Sequence, residues 1–364
     1  MMNKNNYCVI MAGGVGSRFW PLSKTNKPKQ FLDILGLGKS FIRMTFERFA
    51  QICPIENIFV VTNELYTDLV KQEIPEIADF QILAEPLRKN TAPCIAYSNM
   101  IIKKINPDAR IITAPSDHLI LNESKFISVI KRGLEFINEN DGLLTIGIKP
   151  SRPETGYGYI QIQNESANES FAEIQKVQTF TEKPDLEIAK QFVQSGEFFW
   201  NSGIFIWTLK SINKSFEIHQ PDIYTLFDHN TNFNTKEEEH LFIKAAFSEC
   251  KNISVDKGIM EHASNVFVYC SEFGWSDVGT WDSLYENSQK NESGDVILGK
   301  NVLTYDTKNC LVNVPNNKLV VLQGLENYLI AESDNILLIC QRNDEQKIRQ
   351  FVNDIKIQKG ESYI

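Results

Sequence analysis

A short apolar run, Tyr7-Cys8-Val9-Ile10-Met11-Ala12, passes directly into Gly13-Gly14-Val15-Gly16-Ser17-Arg18, and Lys27-Pro28-Lys29-Gln30-Phe31 follows within ten residues. The first six residues read as a buried strand. The glycines after it let main-chain N–H groups approach phosphate oxygens with no Cβ in the way. Arg18 can clamp two oxygens with its planar fork, and Lys29 supplies a compact point charge. A strand that ends in a bare loop with cations beside it is the outline of a polyphosphate site on an open α/β sheet. The alternative is an ordinary glycine-rich turn between a strand and a helix.

Two better-known glycine motifs do not fit. In Gly14-Val15-Gly16-Ser17-Arg18-Phe19 a phenylalanine stands where the dinucleotide fingerprint needs its third glycine. Gly38-Lys39-Ser40 imitates the end of a P-loop, but Asp33 occupies the position of that motif's first glycine and would set a carboxylate against phosphate. Gly36 to Ser40 is therefore read as a turn and helix start.

The wider pattern agrees with an α/β class. Strand-like runs at Ile58 to Thr62, Gln81 to Ala84, Arg110 to Thr113 and Leu143 to Ile148 alternate with patterned polar segments, the rhythm of a mainly parallel sheet covered by helices. Gly13 to Arg18 and Asp117 each follow the carboxyl end of an expected strand, where open α/β sheets bind ligands. From about Ser151 the pieces become longer and more antiparallel in character, with a strand over Phe171 to Thr181 and a helix over Asp185 to Ser195. Asn230 to Thr235 reads as a loop. Beyond Lys290 short strands such as Lys318 to Leu322 and Asn335 to Cys340 precede a charged helix over Asp344 to Ile355. The expected division is a catalytic domain over 1–290 and a small β-rich C-terminal domain over 291–364.

At 364 residues and 42% hydrophobic content the chain can bury a sizeable core. Its 37 basic against 46 acidic residues, a formal charge of −9, argue against a nucleic-acid surface, so phosphate binding is local. No apolar run reaches the ~20 residues that cross a bilayer. Met1 to Tyr7 is too polar for a signal-peptide core, which makes the cytoplasm the expected compartment. Seven cysteines contain no C-x-x-C pair, and five histidines lack metal-ligand spacing, so neither a zinc site nor a disulfide framework is indicated.

The block Gly13 to Ser23 with Pro28-Lys29-Gln30-Phe31-Leu32 resembles the signature of sugar-phosphate nucleotidyltransferases, in the form typical of mannose-1-phosphate guanylyltransferases. Further blocks recur in that family's order: Glu85-Pro86 with Asn90-Thr91-Ala92-Pro93, Pro115 to His118, Arg152 to Ile160, Phe180 to Pro184, Trp200 to Phe205, Ser254-Val255-Asp256, and Gly274 to Trp281. The resemblance covers most of the chain. It implies a Rossmann-like nucleotidyltransferase domain and transfer of GMP from GTP to α-D-mannose 1-phosphate, with Mg²⁺ as cofactor and a homodimer built on the tail.

The same resemblance distributes roles over residues. Ala12, Gly13, Gly14, Gly16, Ser17, Arg18, Lys29, Glu85, Asn90, Thr91, Ala92, Ser116 and Asp117 would bind nucleotide. Glu85 offers an acceptor for the N–H donors of guanine. Gly156, Tyr157, Gly158, Glu182, Lys183 and Asn201 would hold the sugar phosphate, and Asp117 and Asp277 the metal. Arg18, Lys29, Asp117, Lys183 and Asp277 form the expected catalytic set. Taken on the residues alone, Asp117 is open to a helix-cap role, Asp277 to a turn role, and Glu182-Lys183 to a solvated pair before a helix. The aromatic group Phe198, Phe199, Trp200 and Phe205 reads as core.

One departure stands out. Relatives continue the Ser-Val-Asp block with Tyr-Ala-(Ile/Val)-Met-Glu-Lys, whereas this chain has Lys257-Gly258-Ile259-Met260-Glu261-His262, so the final cation depends on pH. The cupin-like isomerase domain of longer bifunctional relatives is not expected here. The rival expectations are a guanylyltransferase for another sugar 1-phosphate, and a regulatory homologue that binds nucleotide sugar without catalysis.

Overall fold

The structure is a computed structural model that describes residues 3–14, 16–167, 169–228, 233 and 235–364. Of the expected loop at Asn230 to Thr235, residues 230–232 and 234 lie outside the described residues. The chain forms two compact units. One comprises the residues up to Gly13, Phe46–Ser116 and Ile120–Trp275; the other comprises Gly14–Thr45, Asp117–Leu119 and Ser276–Ile364.

The first unit is built on a nine-stranded sheet. Its strands are β1 (Asn6–Ala12), β2 (Ile58–Asn63), β3 (Ile82–Glu85), β4 (Arg110–Pro115), β5 (Leu143–Ile148), β6 (Tyr159–Ser166), β7 (Ile174–Thr181), β8 (Phe198–Thr208) and β9 (Val266–Cys270). Their spatial order is β3-β2-β1-β4-β8-β5-β9-β7-β6. The first four pair in parallel, with Val9 opposite Phe59 on one side and Thr113 on the other. β8 then runs antiparallel to β4, β5 and β6, and β7 runs antiparallel to β6 and β9.

Burial of β2 and β5 along their whole lengths explains why both are mostly apolar, with Thr62, Asn63 and Thr145 as the polar exceptions. Helix Thr91–Ile105 buries Ala92, Ile95, Ala96 and Ile102 in the core that also holds Val9, Phe59, Ile111 and Trp207. Phe198, Trp200 and Phe205 are buried, as the aromatic reading expects, whereas Phe199 is only half-buried.

The strand expected over Phe171 to Thr181 begins only at Ile174, because residues 169–171 form a single 3-10 turn. The helix expected from Asp185 starts at Leu186, with Asp185 as its cap: Oδ1 accepts from the Ile188 N–H at 2.9 Å.

In the second unit, short strands over Val296–Leu298, Leu311–Asn313 and Tyr328–Ser333 stack in parallel, and Ile336–Gln341 adds an antiparallel edge. A parallel pair, Val302–Tyr305 with Val320–Gln323, lies in a separate sheet. The inward residues Leu311, Leu329, Ala331 and Leu338 share one core with Phe19, Trp20, Phe41 and Trp281. The aromatic residues of the glycine-rich signature are therefore anchored among the strands of the tail. Asp33 accepts N–H bonds from Leu37 at 2.9 Å and Gly38 at 2.7 Å, so its carboxylate closes the turn that mimicked a P-loop.

Candidate active site

The second unit gathers one group of the expected residues. Gly16, Arg18, Lys29, Asp117, His118, Asp277, Gly279 and Arg349 line a cavity of about 290 Å³. Lys29 is 3% exposed and donates to three oxygens: Asp117 O at 3.1 Å, Asp117 Oδ2 at 3.0 Å and Asp277 O at 2.7 Å. An ammonium has three protons, so these bonds commit all of them. Lys29 thus ties two chain-distant aspartates together, a duty beyond the point charge expected from sequence.

Gly16 makes that position possible. It sits at φ +64, and a Cβ there would lie 2.4 Å from Lys29 Cβ. Gln30 Nε2 donates to Gly14 O at 2.9 Å and fixes the loop from its other side. The side chain of Ser17 lies outside the described residues.

Desolvation pushes the Asp117 carboxyl up, but Lys29 and His118 outweigh it and hold the group below the usual carboxylate range. Asp277 Oδ1 accepts from the Gly279 N–H at 2.9 Å across a turn in which Val278 has φ +41, as the turn reading of Asp277 expects. Asp117 caps no helix: the next one, Glu123–Glu139, is capped by Asn122.

Two carboxylates on one cavity suit Mg²⁺, which takes one or two protein carboxylates and completes its shell with water and phosphate oxygens. Among the described residues no cluster of three or more His, Cys, Asp or Glu side chains could hold a metal by itself. The cations Arg18 and Arg349 line the same cavity, and Arg18 Nε is a buried donor with no partner among the described residues. Arg349 was invisible to sequence reasoning, because it lies in a tail helix, Ile348–Lys359, with no motif around it.

The first unit gathers the other residues into two groups. At the carboxyl end of β3, Glu85 is 5% exposed and lies behind Gly13, whose imagined Cβ would be 3.2 Å from Glu85 Oε2. Burial pushes its carboxyl up to about 7, against hydrogen bonding from the Cys94 thiol and the charge of Arg88. Glu85 Oε1 is a buried acceptor with no partner among the described residues. Ser116 is buried where β4 ends, its N–H donating to Met11 O at 3.1 Å.

Asn90, at φ 71, caps helix Thr91–Ile105 by accepting from the Thr91 N–H. Thr91 Oγ1 accepts from Val255 N–H at 2.8 Å, and Ala92 N–H donates to Ile253 O at 3.1 Å. These two residues therefore fasten the Ser254-Val255-Asp256 segment to the helix.

The ionisation of Glu85 has a measurable consequence. Its folded value lies above its unfolded one, so between pH about 4.5 and 7 the unfolded chain binds fewer protons and stability falls as pH rises, levelling off above 7. Glu85→Gln lacks this loss and should gain on wild type by up to roughly 3 kcal/mol across that window. Denaturant melts of ligand-free protein at pH 5 and 8 test it; parallel curves would refute the buried ionisation.

On the sugar side, Gly158 faces Glu182 and Asn201: a Cβ there would approach Glu182 Oε2 to 2.8 Å and Asn201 Cβ to 3.4 Å. The register of β5 against β8 shifts between Thr145 and Gly147, and the Thr145 hydroxyl donates to Asn201 Oδ1 at 2.9 Å. Lys183 has φ 48 and its ammonium pairs with the Glu182 carboxylate, while its side chain is more than half exposed. Tyr157 packs edge-on against Trp200 and Trp275 with centroids 5.1 Å away. Gly156 N–H donates to Glu154 Oε1 at 3.2 Å.

Asp256, of the Ser254-Val255-Asp256 block, lies beside this group, its Oδ1 accepting from Asn201 Nδ2 at 2.8 Å.

Comparison with known proteins gives two family matches along the chain. A model of the nucleotidyl transferase family matches residues 7–294, and one described as MannoseP isomerase/GMP-like beta-helix domain matches 300–355. A mannose-1-phosphate guanylyltransferase of Klebsiella pneumoniae is 34% identical over 358 residues, covering 98% of this chain and 75% of its own length. One of Salmonella montevideo is 32% identical over 361 residues, with 98% and 75% covered. A crystal structure from Thermus thermophilus, described as a mannose-1-phosphate geranyltransferase, superposes with a TM-score of 0.85 at 26% identity, covering 97% of this chain and 99% of that one. The chain belongs to the nucleotidyl transferase family and, within it, to the mannose-1-phosphate guanylyltransferases.

Proposed function

We propose that the protein transfers GMP from GTP to α-D-mannose 1-phosphate, giving GDP-mannose and pyrophosphate. A phosphate oxygen of the sugar attacks the α-phosphorus of GTP, and the bond to the β-phosphate breaks. The nucleophile needs no general base, since a phosphate monoester with a second pKa near ~6 is already largely dianionic at neutral pH. The protein's task is to position the reactants and cancel charge. The observation that carries the reading is the pairing of Asp117 and Asp277 through Lys29 on one cavity with Arg18.

In this reading Asp117 and Asp277 hold Mg²⁺, which when bound neutralises triphosphate charge. Arg18, with Gly13, Gly14 and Gly16, receives phosphate oxygens. Glu85 Oε1 accepts from guanine, and Asn90 to Ala92 border the base and ribose. Lys183 faces the attacking phosphate, while Glu182, Asn201 and Gly158 meet the hexose.

We further propose the cytoplasm as its compartment, with no membrane or nucleic-acid partner. Among the described residues no helix is long and apolar enough to cross a membrane, and the acidic balance is unsuited to nucleic acid.

The test is pyrophosphate release with GTP or ATP across a panel of sugar 1-phosphates. Release that requires GTP and mannose 1-phosphate supports the assignment, and preference for another sugar moves it within the family. No release with any sugar in the presence of Mg²⁺ leaves the regulatory reading.

The two cations should separate kinetically. Lys183→Ala is expected to raise KM for the sugar phosphate by about tenfold or more with little change for GTP, and Arg18→Ala to do the reverse. Equal damage to both substrates from either change would refute the division of labour.

We also propose that residues 1–290 carry the chemistry, joined on the cavity by Arg349, and that residues 291–364 make a dimer contact. The exposed apolar residues Leu303, Leu319, Val321, Leu337 and Ile339 support the second part. Light scattering should give about twice the chain mass of 41.6 kDa, and a monomer at micromolar concentration would end the idea.

A further inference from the structure

The segment after Val255 is wound as a π-helix over Asp256–Met260, a rare form that recurs at functional sites. Two side chains, one from this turn and one just past it, reach the sugar group. Asp256 Oδ1 accepts from Asn201 Nδ2 at 2.8 Å, and Glu261 Oε1 accepts from the Glu182 N–H at 3.1 Å. The amide of Asn201 is thereby fixed at both ends, its oxygen by Thr145 and its nitrogen by Asp256. That also assigns which way the amide points.

We infer that Asp256 is a sugar-binding residue, its second carboxylate oxygen accepting a hydroxyl of the hexose alongside Glu182. This rests on the reading of Glu182 and Asn201 as the sugar group. Burial, followed by the nearby charge of Glu182, raises the Asp256 carboxyl to about 6, and a bond from its own backbone N–H, then Lys183 and Asn201, offset that only in part. Two neighbouring carboxylates withdrawn from water are costly to hold ionised, and neutral hydroxyl donors relieve that cost without adding charge. A polyol fits this chemistry; a second phosphate does not. The Thr91 and Ala92 bonds to residues 253–255 hold the segment in place before any ligand arrives.

The experiment compares wild type with Asp256→Asn and Asp256→Ala, using GTP and the series of monodeoxy analogues of mannose 1-phosphate. Asp256→Asn keeps an oxygen for Asn201 and turns the second acceptor into a donor, so KM for mannose 1-phosphate should rise at least about tenfold while KM for GTP stays within about twofold. Wild type should discriminate against one deoxy analogue, and both variants should lose that discrimination for the same analogue and no other.

If every analogue keeps its wild-type penalty in both variants, Asp256 acts only through Asn201 and the inference is overturned. If Asp256→Ala unfolds, Asp256→Asn alone carries the comparison. Wild-type inactivity with all sugar phosphates would instead refute the parent assignment, so the two failures are distinguishable.

Discussion

Asp277→Asn is expected to fold normally and to lose most of its turnover. Asparagine retains the Oδ1 atom that accepts from the Gly279 N–H, so the turn through Val278 survives. What disappears is one formal negative charge on the cavity shared with Asp117 and Arg18. If that charge secures the cation that balances the triphosphate, the transition state should lose about 3 kcal/mol or more, at least two orders of magnitude in rate. Turnover at saturating Mg²⁺, read beside the circular dichroism of the same sample, decides the matter. Activity within about twofold of wild type, ~0.4 kcal/mol, would reduce Asp277 to its turn.

Lys29→Met should damage stability as well as activity. Methionine keeps an apolar stem of similar length against Gly16 and lacks the ammonium, which lies 5.6 Å from the Phe19 ring centroid and 5.0 Å from that of Phe41. Asp117, a third exposed, would be left without its buried partner, and breaking such a half-buried pair from one side should cost about 1–3 kcal/mol. The sign with pH follows from the lowered Asp117 value. In wild type that stabilisation is present above the ordinary carboxylate range and is lost as pH falls through the folded value, when the carboxyl protonates. The gap between wild type and variant should therefore be wide at neutral pH and narrow in acid. Urea melts at pH about 7 and about 3.5 read it directly, and equal gaps at both would show that packing, not charge, was lost.

The glycine-rich loop, the strands from β1 to β5 and the capped helix after Asp185 were legible because each rests on local chemistry. Short apolar runs bounded by Gly, Pro or Asp leave few alternatives. The pairing of β8 with both β4 and β5 was not legible, since register across such separations depends on packing that no window contains. Lys29 was found as a cation, but its bonds to Asp117 and Asp277 link positions 88 and 248 residues away. Glu85 was legible as an acceptor; its raised ionisation needed the burial that only the fold supplies. Arg349 was missed for the same reason, and the Ser254-Val255-Asp256 block gave no sign of the bond between Asp256 and Asn201, 55 residues away.

The second unit draws on three separated stretches of chain. Trp20 Nε1 donates to Tyr363 O at 2.8 Å, Lys24 pairs with Asp334 at 2.6 Å, and the Phe19 ring packs on Trp281 at 5.0 Å. Synthesis runs from the amino end at about 5–20 residues per second. The glycine-rich loop is thus made early and waits for partners that emerge last. Arg349, which lines one cavity with Arg18 and Asp277, emerges after every strand of the sheet, so in the proposed reading an unfinished polypeptide on the ribosome does not turn over nucleotide. In that reading competence arrives late, once the final strands have left the exit tunnel.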